Sequence, residues 1–536
     1  MDNTKSIINK YKFEIISFIS IFILIFAVYF HCSNFDFVHL DETILIQHKV
    51  QDMENISFVK KIIFSSVFDG IKDKFYRPVL SLTFLADTLI CGGEPGFYHY
   101  SNILWHMFAV FLVFMLFRNM SYSKNVSMAA AAVFAVHPAL VSAIAWVPGR
   151  NDILLAVFAI ISFIFFIRGI SNGKLSHIIL SSVFFMIALF TKETVIVLPF
   201  ICMLYAFFYG IKAGKKSIIQ TIVCFTIAVI LYAGFRHFVL SAGVQGITVY
   251  EMILNVIRSV KATFWYFAVA ILTKKILVLP YINSIPAINV LFPAAVISML
   301  CVFLRKHCNF NHILFGILWF VLFLLPTYVM PEDIFRTHRL YLPIAGCFII
   351  IIEIIKAFNE KYAINKKWFY ALFGLLIIAI SLISYKQTFY YKDRTSFWFK
   401  AIAENPDASF VNIVMSGYYA DAGDLNKSEE YALTALKQAK NQNIPRALLQ
   451  LAEVYYKKND MEKAEQYFSK ALQVDKFKAS GYLGLSKIYD NEGNKEAAIN
   501  ILEEAHKIIP QSKDIKRRLE NLKEGKKEFS YVISWK

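Results

Sequence analysis

The chain is poor in the residue patterns that build metal centres and disulfide frameworks. Its 536 residues include seven cysteines, but they contain no Cys-x-x-Cys pair and no Cys/His spacing suited to metal ligation. Charged residues make up only 18% of the chain. The sequence therefore predicts no metal site and no cofactor, and it does not indicate a fold held together by disulfides.

Two other features are missing. Lys5, Lys10 and Lys12 precede the first apolar run, but no small-residue cleavage site follows it, so we expect no cleavable signal peptide. Many transporters contain two membrane spans that are interrupted by Gly or Pro at corresponding positions of their two halves. The sequence contains no such matched pair. A transporter is therefore the least supported function.

Apolar residues dominate the composition. They account for 57% of the chain, with 51 phenylalanines, and the mean hydropathy is +0.51. Soluble proteins contain roughly 45–50% apolar residues. The sequence thus predicts an all-α fold: a polytopic membrane body that interacts with the lipid bilayer.

A membrane helix needs roughly 20 apolar residues. Eleven stretches are candidate spans: 14–31, 98–117, 127–145, 152–168, 175–191, 194–210, 217–235, 287–304, 311–329, 340–357 and 368–385. Counting eleven places the basic loops on one side, which the positive-inside rule makes cytoplasmic together with the N-terminus. A further apolar segment at 254–279 would break that count, so we interpret it as an interfacial or re-entrant element.

The formal net charge is +17, which by itself would suggest nucleic-acid binding. The basic residues, however, lie in short loops between apolar runs, as the positive-inside rule describes. We therefore expect no nucleic-acid partner.

Asp41 and Glu42 form a carboxylate pair just beyond the uncharged stretch 15–30. A carboxylate near the bilayer costs free energy unless it is used or solvated. The pair suits a general base at the membrane surface, although a solvated loop acid is an alternative for Asp41. Glu42 could orient Asp41, touch an acceptor or cap a helix.

Other polar residues would gather on the same external face under this topology. They are Arg77, Arg150, Asp152, Lys192, Glu193, Arg336, His338 and Arg339. His99, Asn102 and His106 share one helix face because they are three and four residues apart, and that face could line a substrate pocket.

Each of these residues also has a structural interpretation. Arg77 could be an interfacial arginine, and Arg150 and Asp152 could form a local ion pair. A hairpin turn would account for Lys192 and Glu193. His106 is better explained as an interhelical hydrogen-bond partner. For His137, next to Pro138, we expect a bend in which the imidazole bonds freed backbone groups.

After about residue 390 the long apolar runs stop and a repeat of 34 residues begins. Its positions are Leu448, Leu451, Ala452, Tyr455, Ala464, Phe468 and Ala471, followed by Tyr482, Leu485, Ser486, Tyr489, Ala498, Leu502 and Ala505. That period is typical of tetratricopeptide (TPR) repeats, which are helix pairs that stack into a solenoid. A degenerate unit precedes them, and 513–524 is predicted to be a polar capping helix. We therefore expect a membrane domain over 1–390, with a catalytic loop at 32–97, and an extracytoplasmic TPR domain over 391–536.

Four local motifs carry a family resemblance. They are Phe37–Glu42; Arg77-Pro78 with 98–106; Ala135–Pro138 with Ala145–Asp152; and Thr191–Glu193 with Arg336–Pro343. In this order they resemble the transmembrane-and-TPR O-mannosyltransferases, and more distantly the protein O-mannosyltransferases of the GT-C class. The chain departs from the TPR-bearing family in having Leu40-Asp41-Glu42 where an Asp-Asp pair is usual, and its repeat array is short.

The resemblance implies an inverting glycosyltransferase that takes mannose from a polyprenyl-phosphate donor. Asp41 would be the base, and Arg336, Arg339 and Lys192 would hold the phosphate. An extracytoplasmic protein segment, held by the TPR repeats, would be the acceptor.

Two alternatives remain open. One is a transferase acting on a lipid or surface glycan, and the other is a non-catalytic membrane scaffold that presents the TPR repeats. The Ile-, Lys-, Asn- and Phe-rich composition favours a bacterial or archaeal cell membrane over the endoplasmic reticulum.

Overall fold

A computed structural model describes residues 2–53, 55–67, 75–211, 214–240, 248–272, 276–281, 287–329, 335–363, 365–440, 443–476, 478–510 and 512–526. Throughout this part of the chain the fold is helical, with a single bridge residue at Tyr281 as its only extended pairing. The chain divides into two compact units, Met1–Phe397 and Trp398–Lys536. The all-α prediction is confirmed.

The first unit contains eighteen described α-helices and part of the nineteenth. They are α1 (Asp2–Tyr29), α2 (Glu42–Leu45), α3 (Val50–Met53), α4 (Phe58–Ile63), α5 (Pro78–Cys91), α6 (Pro95–Asn119), α7 (Lys124–Ala135), α8 (Val141–Ala145), α9 (Arg150–Asn172), α10 (Leu175–Thr191), α11 (Leu198–Phe208), α12 (Lys215–Leu240), α13 (Val249–Arg258), α14 (Val260–Leu272), α15 (Ala287–Phe303), α16 (Phe310–Leu324), α17 (Ile344–Tyr362), α18 (Lys366–Thr388) and α19 (Arg394–Glu404).

Short 3-10 turns connect several of these helices. They are Phe30–Asn34, Gln47–Lys49, Pro138–Leu140, Val147–Gly149, Glu193–Val197, Leu325–Tyr328, Thr337–Leu340 and Phe389–Tyr391.

Six helical segments in the described residues are long and apolar enough to cross a membrane. They are Phe13–Asn34, Pro95–Asn119, Val147–Asn172, Lys215–Leu240, Phe310–Tyr328 and Lys366–Tyr391, and a bent pair at 124–145 makes up to seven. The protein is therefore a multi-pass membrane protein, but the predicted count of eleven spans is not confirmed. The predicted spans 175–191, 194–210 and 287–304 form shorter apolar helices, and the span predicted at 340–357 begins only at Ile344 in α17.

In the segment predicted as interfacial or re-entrant, 254–279, the described residues up to Leu272 belong to α13 and α14, and 273–275 lie outside the described residues. α13 leaves Val249, Tyr250, Ile253 and Ile257 exposed, and Asn255 donates from its amide nitrogen to the carbonyl of Val329 at 3.1 Å. The position of this segment relative to a bilayer remains a prediction.

The expected bend at His137-Pro138 is confirmed. α7 and the segment Pro138–Ala145 meet at 52°. The imidazole of His137 accepts from the backbone N–H of Ala139 at 3.2 Å through Nδ1, and its Nε2 lies 3.2 Å from the carbonyl oxygen of Ala270. Proline removes a backbone donor and so breaks the helical ladder, and the histidine bonds to the backbone at the break.

Small and hydroxylated residues bring neighbouring membrane helices into contact. Ser162 in α9 and Ser181 in α10 each donate to the other's carbonyl oxygen, at 2.7 and 2.8 Å. Gly316 in α16 and Gly346 in α17 pack against each other so closely that a Cβ on either would collide with the other's carbonyl oxygen. Close backbone approach at small residues is a common way for membrane helices to pack.

The second unit consists of helix pairs and a final helix. It contains α20 (Ser409–Asp421), α21 (Leu425–Gln438), α22 (Asn443–Lys457), α23 (Met461–Val474), α24 (Ala479–Asn491), α25 (Lys495–Ile508) and α26 (Lys513–Glu524). The last of these coincides with the predicted capping helix at 513–524.

The second helix of each pair begins in the same way. Asp424, Asp460 and Asn494 are the N-caps of α21, α23 and α25, and each side-chain oxygen accepts from the backbone N–H three residues later. Such caps satisfy donors that the first helical turn leaves without a partner.

Small buried residues mark the crossing within each pair. These residues are Ala452 and Ala464 in the second pair, α22 and α23, and Ser486 and Ala498 in the third pair, α24 and α25. The degenerate first pair has Ser416 and Ser428, whose hydroxyl oxygens lie 3.1 Å apart. Close crossings at a fixed interval confirm the predicted repeat.

Candidate active site

The acidic pair lies in a turn that Glu42 holds in place. The Glu42 side chain is only 1% exposed. Its Oε2 accepts hydrogen bonds from the backbone N–H groups of Leu40, at 3.0 Å, and Asp41, at 3.1 Å. Of the three roles considered for Glu42, orienting Asp41 is the one that these contacts support.

The residue before this turn has a strained backbone. His39 has a φ of +56°, in the left-handed region that side chains other than glycine rarely adopt. Such conformations concentrate at sites where the surroundings enforce them. Here the bonds made by Glu42 close the turn immediately after His39.

Burial raises the pKa of Glu42 to about 7, and the neighbouring Asp41 charge adds to the effect, whereas hydrogen bonds from the backbone of Glu42 and Leu40 and, more weakly, from the Trp146 side chain oppose it. A buried carboxyl disfavours its ionised form. Glu42 therefore exchanges its proton near neutral pH, while its structural role needs only a hydrogen-bond acceptor.

Asp41 contacts the other end of the membrane unit. Its Oδ2 lies 3.2 Å from Nη1 of Arg336, and the two side chains are 17% and 24% exposed. Asp41 is the residue preceding α2, yet its carboxylate makes no cap bond to that helix. The carboxylate is thus presented to the site.

Arg336 introduces a turn, Thr337–Leu340, that two contacts fix. The hydroxyl of Thr337 lies 2.7 Å from that of Ser142, and the hydroxyl of Tyr266 donates to the carbonyl of Arg336 at 3.0 Å. Two distant parts of the chain, at Ser142 and Tyr266, therefore position the turn that carries His338 and Arg339.

Lys192 binds Asp152 in a buried ion pair. Its Nζ is 2.8 Å from both carboxylate oxygens, and Nε2 of His338 is 3.8 Å from Oδ2 of the same aspartate. Burial lowers the pKa of Lys192, with Asp152 opposing and the charges of Arg77 and Arg339 adding to the lowering. The cations are therefore close enough to act on one another.

Arg77 forms a bidentate pair with Glu193. Its Nε and Nη2 donate to the two carboxylate oxygens at 3.2 and 2.6 Å. Burial would raise the pKa of Glu193, but Arg77 outweighs it, so this pKa is lowered. Bidentate pairs of this type are strong and orient both partners.

His338 stays neutral among these cations. Burial moves its pKa well below the ordinary value, and Lys192, Arg336, Arg339 and Arg77 all lower it further. We call Arg77, Lys192, Arg336, His338 and Arg339 the basic cluster. It lies beside Asp41 and suits an anion whose negative charge grows during reaction.

Three other predicted site residues fall outside this group. Arg150 is fully buried and forms an ion pair with Asp87, with Nη1 2.5 Å from Oδ2. Its Nε donates to Oδ1 of Asn102 at 2.6 Å and its Nη2 to the carbonyl of Tyr98 at 2.9 Å. The proposed local pair of Arg150 with Asp152 is wrong because each has a different partner.

The side chain of Asn102 bonds to backbone carbonyl groups. Its amide nitrogen faces the carbonyl oxygens of Ile144, Trp146 and Val147 at 3.2 to 3.5 Å. His99 is buried, and its Nε2 lies 3.4 Å from the carbonyl oxygen of Asp36. These contacts favour a structural role for Asn102 and Arg150.

His106 bonds to two distant segments, as expected of an interhelical partner. Its Nδ1 lies 2.6 Å from the hydroxyl of Tyr341, and its Nε2 lies 2.9 Å from the carbonyl oxygen of Ala135.

Sequence reasoning missed two residues here. Asp87 is the only charged residue of the apolar helix α5, and a single charge in an apolar helix could have indicated a buried ion pair. Trp146 lies within a motif already noted, but its ring contacts became visible only in the structure: it packs at a tilt against His338 with centroids 5.1 Å apart. Within the described residues, no three His, Cys, Asp or Glu side chains are grouped as metal ligands would be.

Comparison with known families adds independent information. Residues 98–237 match the family described as dolichyl-phosphate-mannose-protein mannosyltransferase. Residues 445–477 and 479–512 each match a tetratricopeptide repeat. The first match includes Trp146, Asp152 and Lys192 but neither the acidic turn nor the turn at Arg336.

Several curated proteins are similar over part of the chain. Protein O-mannosyl-transferase Tmtc1 of Drosophila melanogaster is 30% identical over 182 residues, covering 33% of this chain and 21% of that protein. Human TMTC1 is 27% identical over 160 residues, covering 28% and 18%. Mouse TMTC3 is 33% identical over 138 residues, covering 25% and 15%.

The aligned segment thus spans a fifth or less of two of these relatives and 21% of the third. Among solved structures, one in the crystal structure of the APC/C hetero-tetramer Cut9-Hcn1 aligns with 83% of this chain and 89% of its own, at 11% identity and a TM-score of 0.24. That score is too low to support any conclusion about the fold.

The sequence-based resemblance is therefore confirmed. The relatives that match at about 30% identity are named as protein O-mannosyl-transferases. Residues 98–237 thus match the family described as dolichyl-phosphate-mannose-protein mannosyltransferase and are followed by matches to tetratricopeptide repeats, and the chain is similar to the proteins named TMTC O-mannosyl-transferases.

Proposed function

We propose that this protein is an inverting membrane mannosyltransferase. It moves mannose from a polyprenyl-phosphate donor to a hydroxyl group of an extracytoplasmic protein segment. The observation that carries the proposal is the placement of the Asp41 carboxylate 3.2 Å from Arg336, at the edge of the basic cluster. A base and a set of phosphate-binding cations are thereby adjacent.

The chemistry requires these two parts. A sugar phosphate already carries its leaving group, so the general acid used by glycosidases is unnecessary. The acceptor hydroxyl loses its proton to a base as its oxygen attacks the anomeric carbon. The bond from that carbon to the phosphate oxygen breaks, and polyprenyl phosphate leaves with the bonding electrons. One displacement inverts the anomeric centre.

Asp41 is the base in this proposal, and Arg336 has two successive partners. Without donor, Arg336 pairs with Asp41. An entering phosphate competes for the guanidinium, which binds phosphate well, and so frees the carboxylate to accept a proton. Lys192, Arg339 and Arg77 stabilise the negative charge that develops on the phosphate.

The tetratricopeptide unit supplies the argument for a protein acceptor, because such repeats commonly bind protein segments. We place the site and this unit on the non-cytoplasmic side, in line with the basic loops. A transferase acting on a lipid or a surface glycan would have the same chemistry but no evident use for the repeats.

The test is transfer of radiolabelled mannose from polyprenyl-phosphate mannose into extracytoplasmic proteins by the full chain in detergent. Wild type is compared with Asp41→Asn and with Asp36→Asn. Asp36 is the matched control because it is an exposed acid of the same loop, and within the described residues its carboxylate accepts only a local backbone bond, from Phe37 at 2.7 Å.

We expect Asp41→Asn to lower turnover by about 10²–10⁴-fold, as loss of a general base does, and Asp36→Asn to change it little. Equal turnover in all three proteins would remove Asp41 from the mechanism. No transfer by folded wild-type protein, with other lipid-linked sugars also tried, would favour a membrane scaffold that presents the repeats.

A further inference from the structure

Trp146 lies between the two halves of the site. It follows α8 and precedes the 3-10 turn Val147–Gly149. Its ring packs against that of His338 in a tilted arrangement, at a centroid separation of 5.1 Å and an interplanar angle of 37°, and the guanidinium carbon of Arg336 is 5.3 Å from the ring centroid. On its other side, its indole N–H is near enough to Glu42 to act on that carboxyl group.

The backbone under Trp146 is rigidly held. Asn102 bonds to carbonyl oxygens on both sides of it, and Arg150 fixes Asn102 in turn. Gly149 closes the loop, because a Cβ there would come within 2.6 Å of the carbonyl oxygen of Ser142. The indole therefore has little freedom to seek another position.

Despite this rigid setting, the indole N–H makes no hydrogen bond of normal length and angle to any described residue. The residue is 5% exposed, and within these residues the one contact of its N–H, with the Glu42 carboxyl group, is the weakest of the effects on the pKa of that group. Buried polar groups are nearly always satisfied, so an exception calls for an explanation such as a role in binding or catalysis. A donor that is buried, fixed and adjacent to both the acid and the cations is ready for a ligand.

The location indicates which part of a ligand would be there. In the proposed reaction the acceptor oxygen approaches from the side of Asp41 and the phosphate lies on the basic cluster. The hexose must then lie between them, which is where Trp146 is. Aromatic rings commonly contribute both an apolar surface and, in tryptophan, a single N–H donor.

We propose that Trp146 is a sugar-binding residue whose indole N–H donates a hydrogen bond to one hydroxyl oxygen of the transferred hexose, while its ring keeps Arg336 and His338 in place. This inference rests on the proposed function and identifies the residue that would select the sugar.

The test combines Trp146→Phe with a set of deoxy-mannose donors, each lacking one hydroxyl group. Phenylalanine keeps an aromatic ring beside His338 but removes the N–H. We expect kcat/KM for the parent donor to fall about three- to tenfold, the usual effect of losing one neutral hydrogen bond. With the donor that lacks the contacted hydroxyl, the two proteins should be equal within about twofold, because the partner is already missing.

Trp319→Phe is the matched control. Trp319 is also buried, but its Nε1 donates to the carbonyl of Leu342 at 3.0 Å. Its variant should lower the melting temperature without changing the relative rates among the deoxy donors. Trp146→Phe should change the melting temperature much less than Trp319→Phe, since the donor that it removes makes no hydrogen bond of normal geometry within the described residues and has only a weak contact with Glu42.

Three results would overturn the inference. They are undiminished transfer by Trp146→Phe, a loss of the same size with every donor, and a lowered melting temperature as the only effect. In each case the wild type still transfers mannose, so the proposed function stands. Absence of transfer by the wild type would instead remove the function and this inference together.

Discussion

Arg336 and Asp41 are 295 residues apart in sequence and 3.2 Å apart in the fold. Their contact joins the turn after the first membrane helix to the turn before α17. It places a potential base beside a guanidinium that can bind phosphate, and both side chains keep some exposure. The pair is therefore accessible to a substrate.

Arg336→Ala should lower kcat/KM by about 10²–10³-fold, the range seen when one donor to a developing anion is removed. Lysine at this position should recover only part of the rate because it cannot bind phosphate bidentately. The measurement is mannose transfer by protein that elutes as wild type in gel filtration. Arg305→Ala, at an exposed position outside the basic cluster, is the control. Equal losses at both positions would contradict a specific role.

Glu42 should make stability depend on pH. Its pKa is raised by burial from 4.5 to about 7, so the folded protein keeps a proton that the unfolded chain loses as the pH rises between these values. The free energy of unfolding should then fall with rising pH through this window, by on the order of 3 kcal/mol in total from this group.

Glu42→Gln keeps an acceptor for Leu40 and Asp41 and cannot ionise. Its melting temperature in detergent should therefore change less than that of wild type between pH 4.5 and pH 7, the values that bound the window. Parallel curves for the two proteins would show that Glu42 does not ionise differently in the folded state.

Arg150 should prove structural. Arg150→Met leaves Asp87 buried without its partner, which typically costs about 3–5 kcal/mol. We expect a large drop in melting temperature and in yield. The double variant Asp87→Leu with Arg150→Met should recover part of the stability. A stable Arg150→Met protein that fails only in turnover would restore the arginine to the active site.

Gly346→Ala should separate α16 from α17, because the added methyl group collides with the carbonyl of Gly316. Overpacking of this kind costs about 1–3 kcal/mol. Gly234→Ala is the matched control, since a Cβ at that helical glycine meets nothing within 4 Å and alanine is the better helix former. The measurement is the melting temperature of each variant, which should fall for Gly346→Ala and not for Gly234→Ala. A fall of equal size in both would contradict the close contact between Gly316 and Gly346.

The sequence predicted some of these features well. Hydropathy located Pro95–Asn119 and Val147–Asn172 to within a few residues, because long apolar runs have few alternatives to a membrane helix. The bend at His137 followed from proline chemistry. Helix boundaries in shorter runs, such as Ile344 in α17, depend on packing and were predicted less accurately.

The partners of the charged residues were harder to predict from the sequence than which charged residues lie in the membrane unit's interior. The sequence analysis singled out Arg150 and Asp152 as neighbours, yet Asp87 and Lys192 are their partners. Sequence distance carries no information about contacts between helices that meet in the interior. Trp146 was passed over for the same reason, since an unpartnered N–H is defined by its surroundings.

The bond between His106 and Tyr341, made by residues 235 positions apart, sets an order for assembly. While the ribosome is still making the middle of the chain, α6 holds a histidine whose Nδ1 partner has not been synthesised. The turn carrying Arg336 arrives at nearly the same moment as Tyr341. The first half of the membrane unit therefore emerges before Arg336 can pair with Asp41, and this contact forms only when the last third of that unit is in place. Nascent chains stopped before residue 336 should lack both this pair and the bond between His106 and Tyr341, so the first half of the unit waits for the last third to complete its packing.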